Sequence, residues 1–155
     1  MIVPMTIDHA LFVSRNMREV DFAEVMATRW DDDVDNFALE SFRLPGIAYT
    51  AINDKNGLPV CIGGVAFHSP QVGTAWMVAT DDFLSVALSV TRHVRRVIKT
   101  LLASELQRIH AFSADFHTDA HRWMQRCGMQ CERTVPALGK NGEDFIVFSI
   151  LRGDS

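Results

Sequence analysis

The sequence has little cysteine, no surplus of positive charge and no uninterrupted hydrophobic run long enough to need a bilayer, and each shortage excludes something. Its three cysteines, Cys61, Cys127 and Cys131, are an odd number in a chain of 155 residues. A domain of that size buries a core without cross-links, so no disulfide framework is expected, and a reducing, cytoplasmic compartment is. Fifteen Lys and Arg stand against nineteen Asp and Glu, leaving a net charge of -4. That balance excludes binding to nucleic acid through overall charge, so any basic contact is local. The opening stretch lacks the basic segment of a secretion signal and reaches Asp8 before an apolar run is complete, which argues against export. Charge is missing altogether between Lys55 and Asp81. His68-Ser69-Pro70-Gln71 divides that stretch into two strand-length pieces, so it reads as a hairpin buried on both faces and not as a membrane span.

What is present fits one globular domain over residues 1–155, since 48% of the residues are hydrophobic and 22% charged. The patterning predicts an opening strand around Ile7 to Val13. Asn16 with Glu19 has the spacing of a capping box, predicting a helix to about Trp30. The acidic run Asp31-Asp32-Asp33-Val34-Asp35 suits a second helix start, and Pro45-Gly46 stop that helix near Leu44. Strands follow at Ile47 to Ile52, Val60 to Phe67 and Thr74 to Thr80, the first two separated by a turn containing Asn56-Gly57.

From Val90 the apolar residues Val94, Val97, Ile98, Leu101 and Leu102 recur at steps of three and four, the stripe of a long helix. Arg92, Arg95, Arg96 and Lys99 occupy its other side. A strand from Arg108 to Phe116, a short helix with Ala120, Trp123, Met124 and Cys127 as its core stripe, and strands at Met129 to Val135 and Asp144 to Leu151 complete the order βααβββαβαββ. A meander leading into a strand-helix-strand crossover makes a mixed α/β (α+β) sheet, mostly antiparallel, with one parallel pair at its centre. Ligands in such sheets favour the carboxyl ends of the parallel strands, here near Thr80-Asp81-Asp82 and Asp115-Phe116-His117.

This order, with the segment Ala120-His121-Arg122-Trp123-Met124-Gln125-Arg126-Cys127-Gly128-Met129, resembles the GNAT (Gcn5-related N-acetyltransferase) superfamily, many members of which carry A-x-x-L-Y-x-x-x-G-F there. More narrowly, Thr91-Arg92-His93-Val94-Arg95-Arg96 together with Arg122-Trp123 is similar to acetyltransferase-like proteins of tailed phages. The superfamily resemblance implies transfer of an acetyl group from acetyl-CoA to an amine, borne by a small molecule, a protein N-terminus or a lysine, with no metal. It implies a cleft between the splayed parallel strands, with backbone N–H groups of Met77, Val78 and Ala79 serving the acyl group and His117 contacting the coenzyme where members often have asparagine. The phage resemblance implies an alternative, a non-catalytic virion or assembly protein; a homodimer, or virion proteins as partners, is expected.

Two departures bear on chemistry. Members hold the coenzyme pyrophosphate on a glycine-containing loop before the long helix, because glycine lets backbone N–H groups approach phosphate. Here Asp81 to Val90 contains no glycine. Arg92, Arg95 and Arg96 are the side chains that compensate on this reading, although the same residues also read as a solvated helix face, and binding is then weak or absent. At the position of the tyrosine proposed as general acid stands Met124, whose thioether has no proton to donate. Asp81 and Asp82 are the candidate general bases, or else ordinary loop acids. His117/His121 and Cys127/Cys131 have a spacing of four that raises a zinc site, but Cys127 and His121 fall on opposite faces of one helix, so no metal is expected.

Overall fold

Thr6 decides how the chain begins. In the computed structural model, which describes residues 1–154, its hydroxyl accepts from the His9 N–H at 3.2 Å while the His9 ring accepts from the Thr6 N–H. This reciprocal cap starts a helix, α1 (Ile7–Arg15), where a strand was expected. Ala10, Val13 and Ser14 are buried at helical spacing, so the apolar run obeys the helical period once the cap sets it. The opening strand is instead β1 (Ile2–Pro4).

The next expected helix is also shorter. Asn16 closes α1, donating from Nδ2 to the Phe12 carbonyl at 2.8 Å, and does not open its successor. Met17 then bridges to Thr80, and the Arg18 N–H donates to the Ala79 carbonyl at 2.9 Å. This tertiary pairing holds the backbone extended until α2 (Glu19–Met26) starts. The acidic run does open a helix: Asp33 caps α3 (Val34–Arg43), its carboxylate accepting from the Asp35 and Asn36 N–H groups.

The meander follows as β2 (Gly46–Ile52), β3 (Pro59–Ser69) and β4 (Val72–Ala79). After a single 3-10 turn at Phe83–Ser85 come α4 (Ala87–Ser104), β5 (Arg108–Ala114), α5 (Thr118–Arg126), β6 (Gln130–Val135) and β7 (Phe145–Leu151). The order is βαααβββαβαββ, one helix more than expected. The seven strands lie as β1-β2-β3-β4-β5-β7-β6, and every neighbouring pair is antiparallel except β4 and β5. Among the described residues no helix is long and apolar enough to cross a membrane.

Two helical layers cover the sheet. On one face α4 and α5 bring Ile98, Leu102 and Met124 against Val65, Ile109 and Phe148. On the other, α1 and α3 bring Ala10, Val13 and Ala38 against Ile62 and Val78. The long helix presents the expected face: Ile98, Leu101 and Leu102 are buried, and Arg95 and Lys99 are exposed. Val94 and Val97 are only half-buried, because they border an opening in the core.

That opening begins where the parallel ladder stops. β4 and β5 pair at Val72 with Arg108, Gly73 with Ile109 and Thr74 with His110, and nowhere further. Beyond Thr74 each strand keeps its outer partner, β4 to β3 as far as Ala79 and β5 to β7 as far as Ala114. The two therefore diverge toward their carboxyl ends.

Candidate active site

The gap between the diverging strands is spanned by α2, whose Asp21 and Glu24 lie one turn apart. Asp21, 2% exposed, accepts from the Ala79 N–H of β4 through Oδ2 at 2.8 Å and forms a two-point ion pair with Arg18. Glu24 serves the other strand: its Oε2 accepts from the Ala114 N–H at 2.9 Å and lies 3.2 Å from the Ser113 hydroxyl. His117, just beyond β5, touches both carboxylates. Its Nδ1 is 2.9 Å from Glu24 Oε2 and its Nε2 3.5 Å from Asp21 Oδ1. Two acids on one short helix thus fix the ends of both strands and the width of the gap.

Burial is the largest influence on Asp21 and raises its pKa above the ordinary 3.8; Arg18, the Ala79 N–H and His117 each pull the other way. Glu24 differs in its partners. It has hydrogen-bond donors around it but, among the described residues, no Lys or Arg in an ion pair.

Alternation along β4 determines which backbone groups face the gap. Ala79 uses both its N–H and its C=O on the α2 side, while Thr80 donates to Val60 of β3. Counting back by two, the Met77 groups point into the gap and the Val78 groups toward β3. Of the three backbone N–H groups at Met77, Val78 and Ala79, that of Met77 is the one directed at the open space.

A cleft of about 1730 Å³ passes through the gap and opens on both faces of the sheet. On the α4 and α5 side it is walled by Met77, Phe83, Val94 and Trp123, and on the other by Val25, Phe37, Trp76 and Phe112. The Trp123 indole N–H donates to the Thr91 hydroxyl at 2.9 Å, joining α5 to α4 across one end. Arg18 lies over the Phe83 ring, and the Phe83 ring meets Trp123 edge-on.

The structure distributes the sequence candidates unevenly around this cleft. Met77, Val78 and His117 line it. Asp81 and Asp82 are exposed and border a separate small hollow with Phe12, Asn16 and Leu58, where Asn53 donates to Asp82 at 2.8 Å. Arg92, Arg95 and Arg96 are exposed on the outer side of α4, and Arg95 donates to the Arg126 carbonyl at the end of α5. Met124 is buried at 7% exposure. Glu24 and Asp21, which tie the two strand ends together, were not among the candidates. Among the described residues no group of three His, Cys, Asp or Glu is disposed to hold a metal ion.

The cysteines lie apart from this chemistry. Cys61 and Cys127 are buried, and burial pushes both thiols up to about 12, so neither forms a thiolate near neutral pH. Cys131 is exposed. A thiol-labelling assay at pH 8 is therefore expected to modify one cysteine in the native protein and all three in denaturant; rapid native labelling of Cys61 or Cys127 would contradict the packing described above.

No protein-family model matches the chain, and no curated protein matches it in sequence. Solved structures do match along nearly its whole length. A GNAT-family acetyltransferase from Bacillus anthracis is 15% identical, with a TM-score of 0.72 over 97% of this chain and 93% of that one. The ribosomal-protein-S5-alanine acetyltransferase from Vibrio fischeri is 13% identical, with a TM-score of 0.68 over 99% and 93%. Aminoglycoside 6'-acetyltransferase type Ii is 14% identical, with a TM-score of 0.71 over 97% and 96%. The last two are named for quite different acceptors, so the shared architecture does not specify one. With its parallel strands parted around a through-going cleft, this chain has the fold of the GNAT acetyltransferases.

Proposed function

We propose that the protein is an N-acyltransferase that moves an acetyl group from acetyl-CoA to a primary amine, with Glu24 as the general base. The observation that carries this reading is the position of the Glu24 carboxylate: held at the mouth of the β4–β5 gap by Ser113, Ala114 and His117, in the wall of a cleft that reaches both sheet faces.

The α4 and α5 side fits an acyl thioester at its inner end, where the walls are apolar and the Met77 N–H would hold the acyl oxygen. Toward the outside, the first turn of α4 has no side-chain cap, which leaves N–H groups at Ala87, Leu88 and Ser89 as phosphate donors. The glycine-free stretch before it adds none of the close backbone approach that glycine allows, so Arg92, Arg95 and Arg96 supply the remaining charge. When bound, the coenzyme supplies an activated thioester. The chain itself does the positioning and handles the proton. An amine entering from the α2 and α3 side meets Glu24, which takes its proton while the His117 ring, 2.9 Å away, orients the carboxylate. Asp81 and Asp82 stand outside the cleft, and Met124 has no proton to give, so Glu24, oriented by His117, handles the proton in this site.

Coenzyme binding that rests on exposed arginines is screened by salt, since the Debye length falls from about 10 Å at 0.1 M to about 3 Å at 1 M. Calorimetric titration is therefore expected to show affinity falling steeply with added salt and with Arg92→Ala; tight, salt-insensitive binding that survives Arg92→Ala would assign the phosphates to backbone groups instead. The function itself is tested by incubating the protein with acetyl-CoA and a panel of primary amines, and following N-acetyl product by mass spectrometry together with equimolar free thiol. Product formation supports the reading. No coenzyme binding and no product with any amine would favour the alternative role, a fold retained for assembly or as a virion component without chemistry.

A further inference from the structure

The half of the cleft on the α2 and α3 side has a composition of its own. Side chains on β4 and β5 alternate between faces, and Thr74 pairs with His110, so continuing that register two residues puts Trp76 opposite Phe112 across the opening gap. Both line the cleft, with Val25, Phe37 and Phe145 beside them and Leu138 and Trp30 farther out. Phe112 is 43% exposed and Trp30 wholly so, a cost in exposed apolar surface that core packing does not explain.

Charge on this side is arranged just as unevenly. Each of the cations that line it among the described residues is already paired: Arg29 with Asp31 and Glu40, and Lys140 with Asp32. Among the described residues on this side no cation is left over for a carboxylate or phosphate on the incoming molecule. Of the two carboxylates lining the whole cleft, Asp119 is paired with Arg122, whereas Glu24 has no Lys or Arg partner. A cation drawn into this half therefore meets one acid that no Lys or Arg pairs, at the inner end, beyond aromatic walls.

One side of the chamber is also closed. The Lys140 N–H donates to the Ala27 carbonyl at 2.6 Å, and its ammonium donates to the Arg29 carbonyl at 3.1 Å, tying the β6–β7 connection to the α2–α3 connection. A polypeptide running across the site would have to break these bonds, whereas a small molecule entering by one end would not.

We infer that the acceptor is a small primary amine carried on an aromatic or similarly bulky apolar body, its ammonium directed at Glu24 and its body held between Trp76 and Phe112. This identification of the acceptor rests on the transferase reading of the same cleft, but its test does not depend on turnover. 2-Phenylethylamine, spermidine, glutamate and a short peptide beginning with phenylalanine are titrated by calorimetry against the protein without acyl donor. 2-Phenylethylamine is expected to bind at least about tenfold more tightly than the other three, and Phe112→Ala to weaken it by about tenfold, as loss of a buried aromatic contact would. Because Phe112 is already half-exposed, an unchanged Tm is expected for this variant, while Trp76→Ala provides a second reading of the same wall. Equal or tighter binding of spermidine or glutamate, tighter binding of the peptide, failure of 2-phenylethylamine to bind, or indifference to both substitutions would overturn the inference. Acetyl transfer to each amine is followed separately. Binding as expected with no transfer would refute the transferase and leave the amine pocket; transfer to spermidine without any aromatic preference would refute the pocket and leave the transferase.

Discussion

Glu24→Gln is expected to lower kcat by roughly two to four powers of ten, the usual contribution of a positioned general base. The substitution keeps an oxygen that accepts from the Ala114 N–H and the Ser113 hydroxyl, so the strand end and the gap retain their geometry. What it removes is the capacity to take a proton. The fall should therefore appear in kcat with little change in Tm or in acetyl-CoA affinity, since Glu24 lies at the mouth of the gap and away from the residues assigned to the coenzyme phosphates. Steady-state kinetics with acetyl-CoA and 2-phenylethylamine measure this directly. A fall of less than about tenfold would mean that another group takes the proton, since even a modest general base contributes more than that.

Asp21→Ala is expected to be the most destabilising substitution in the site, by about 3 kcal/mol, because it removes one partner from a buried, hydrogen-bonded ion pair. Three groups lose a partner together: the Ala79 N–H, the Arg18 guanidinium and the facing nitrogen of His117. Partial exposure of Arg18, at 24%, keeps the cost below that of a fully sealed pair. In a protein of this size such a loss lowers Tm by roughly 6–12 °C. Asp21→Asn should be much milder, since its oxygen still accepts from Ala79. The pH dependence has a definite sign. A carboxyl whose folded pKa lies above its ordinary 3.8 contributes stability that is present in full below that pH and lost as pH rises through the folded value. Asp21→Asn should remove that slope, so thermal melts of the two proteins should lie closest at low pH, where the carboxyl is protonated, and separate as the pH rises through the folded value. Equal stability of the Ala variant and wild type would show that α2 does not fasten the two strands.

Much of this architecture is legible in the sequence because the signals are local and periodic. The stripe Val90 to Leu102 specifies a long helix and its inner face, the charge-free stretch after Lys55 specifies the central hairpin, and the crossover specifies the parallel pair. The opening thirty residues are less legible. Leu11-Phe12-Val13 has no period of its own, and the capping pair Thr6 and His9 uses a histidine where Glu or Gln is the usual signal. Pairing of Met17 and Arg18 with the end of β4 then breaks a helix that local propensity would continue, since contacts from 60 residues away decide those dihedrals.

The site was hidden for the same reason. Sequence reading leads to the loop after β4, because family motifs concentrate there, whereas the acids that face the gap sit on α2. A usable signal did exist. Met17, Val20, Asp21, Glu24 and Val25 follow the i, i+3, i+4, i+7, i+8 pattern of a buried stripe, so two acids stand where apolar residues belong. Buried carboxylates need partners, and acids on a core stripe mark either a polar network or a site. Here they form a polar network, and only the tertiary structure shows that their partners are the ends of two diverging strands.

A crystal structure with CoA and 2-phenylethylamine would show whether donor and amine meet in the β4–β5 gap beside Glu24. The pantetheine arm is expected between β4 and β5 near Met77, the amine nitrogen within about 2.6–3.2 Å of a Glu24 carboxylate oxygen, and the phenyl ring between Trp76 and Phe112. Coenzyme bound away from the gap, or an amine held by other groups while Glu24 keeps only its contacts to Ser113, Ala114 and His117, would contradict that arrangement.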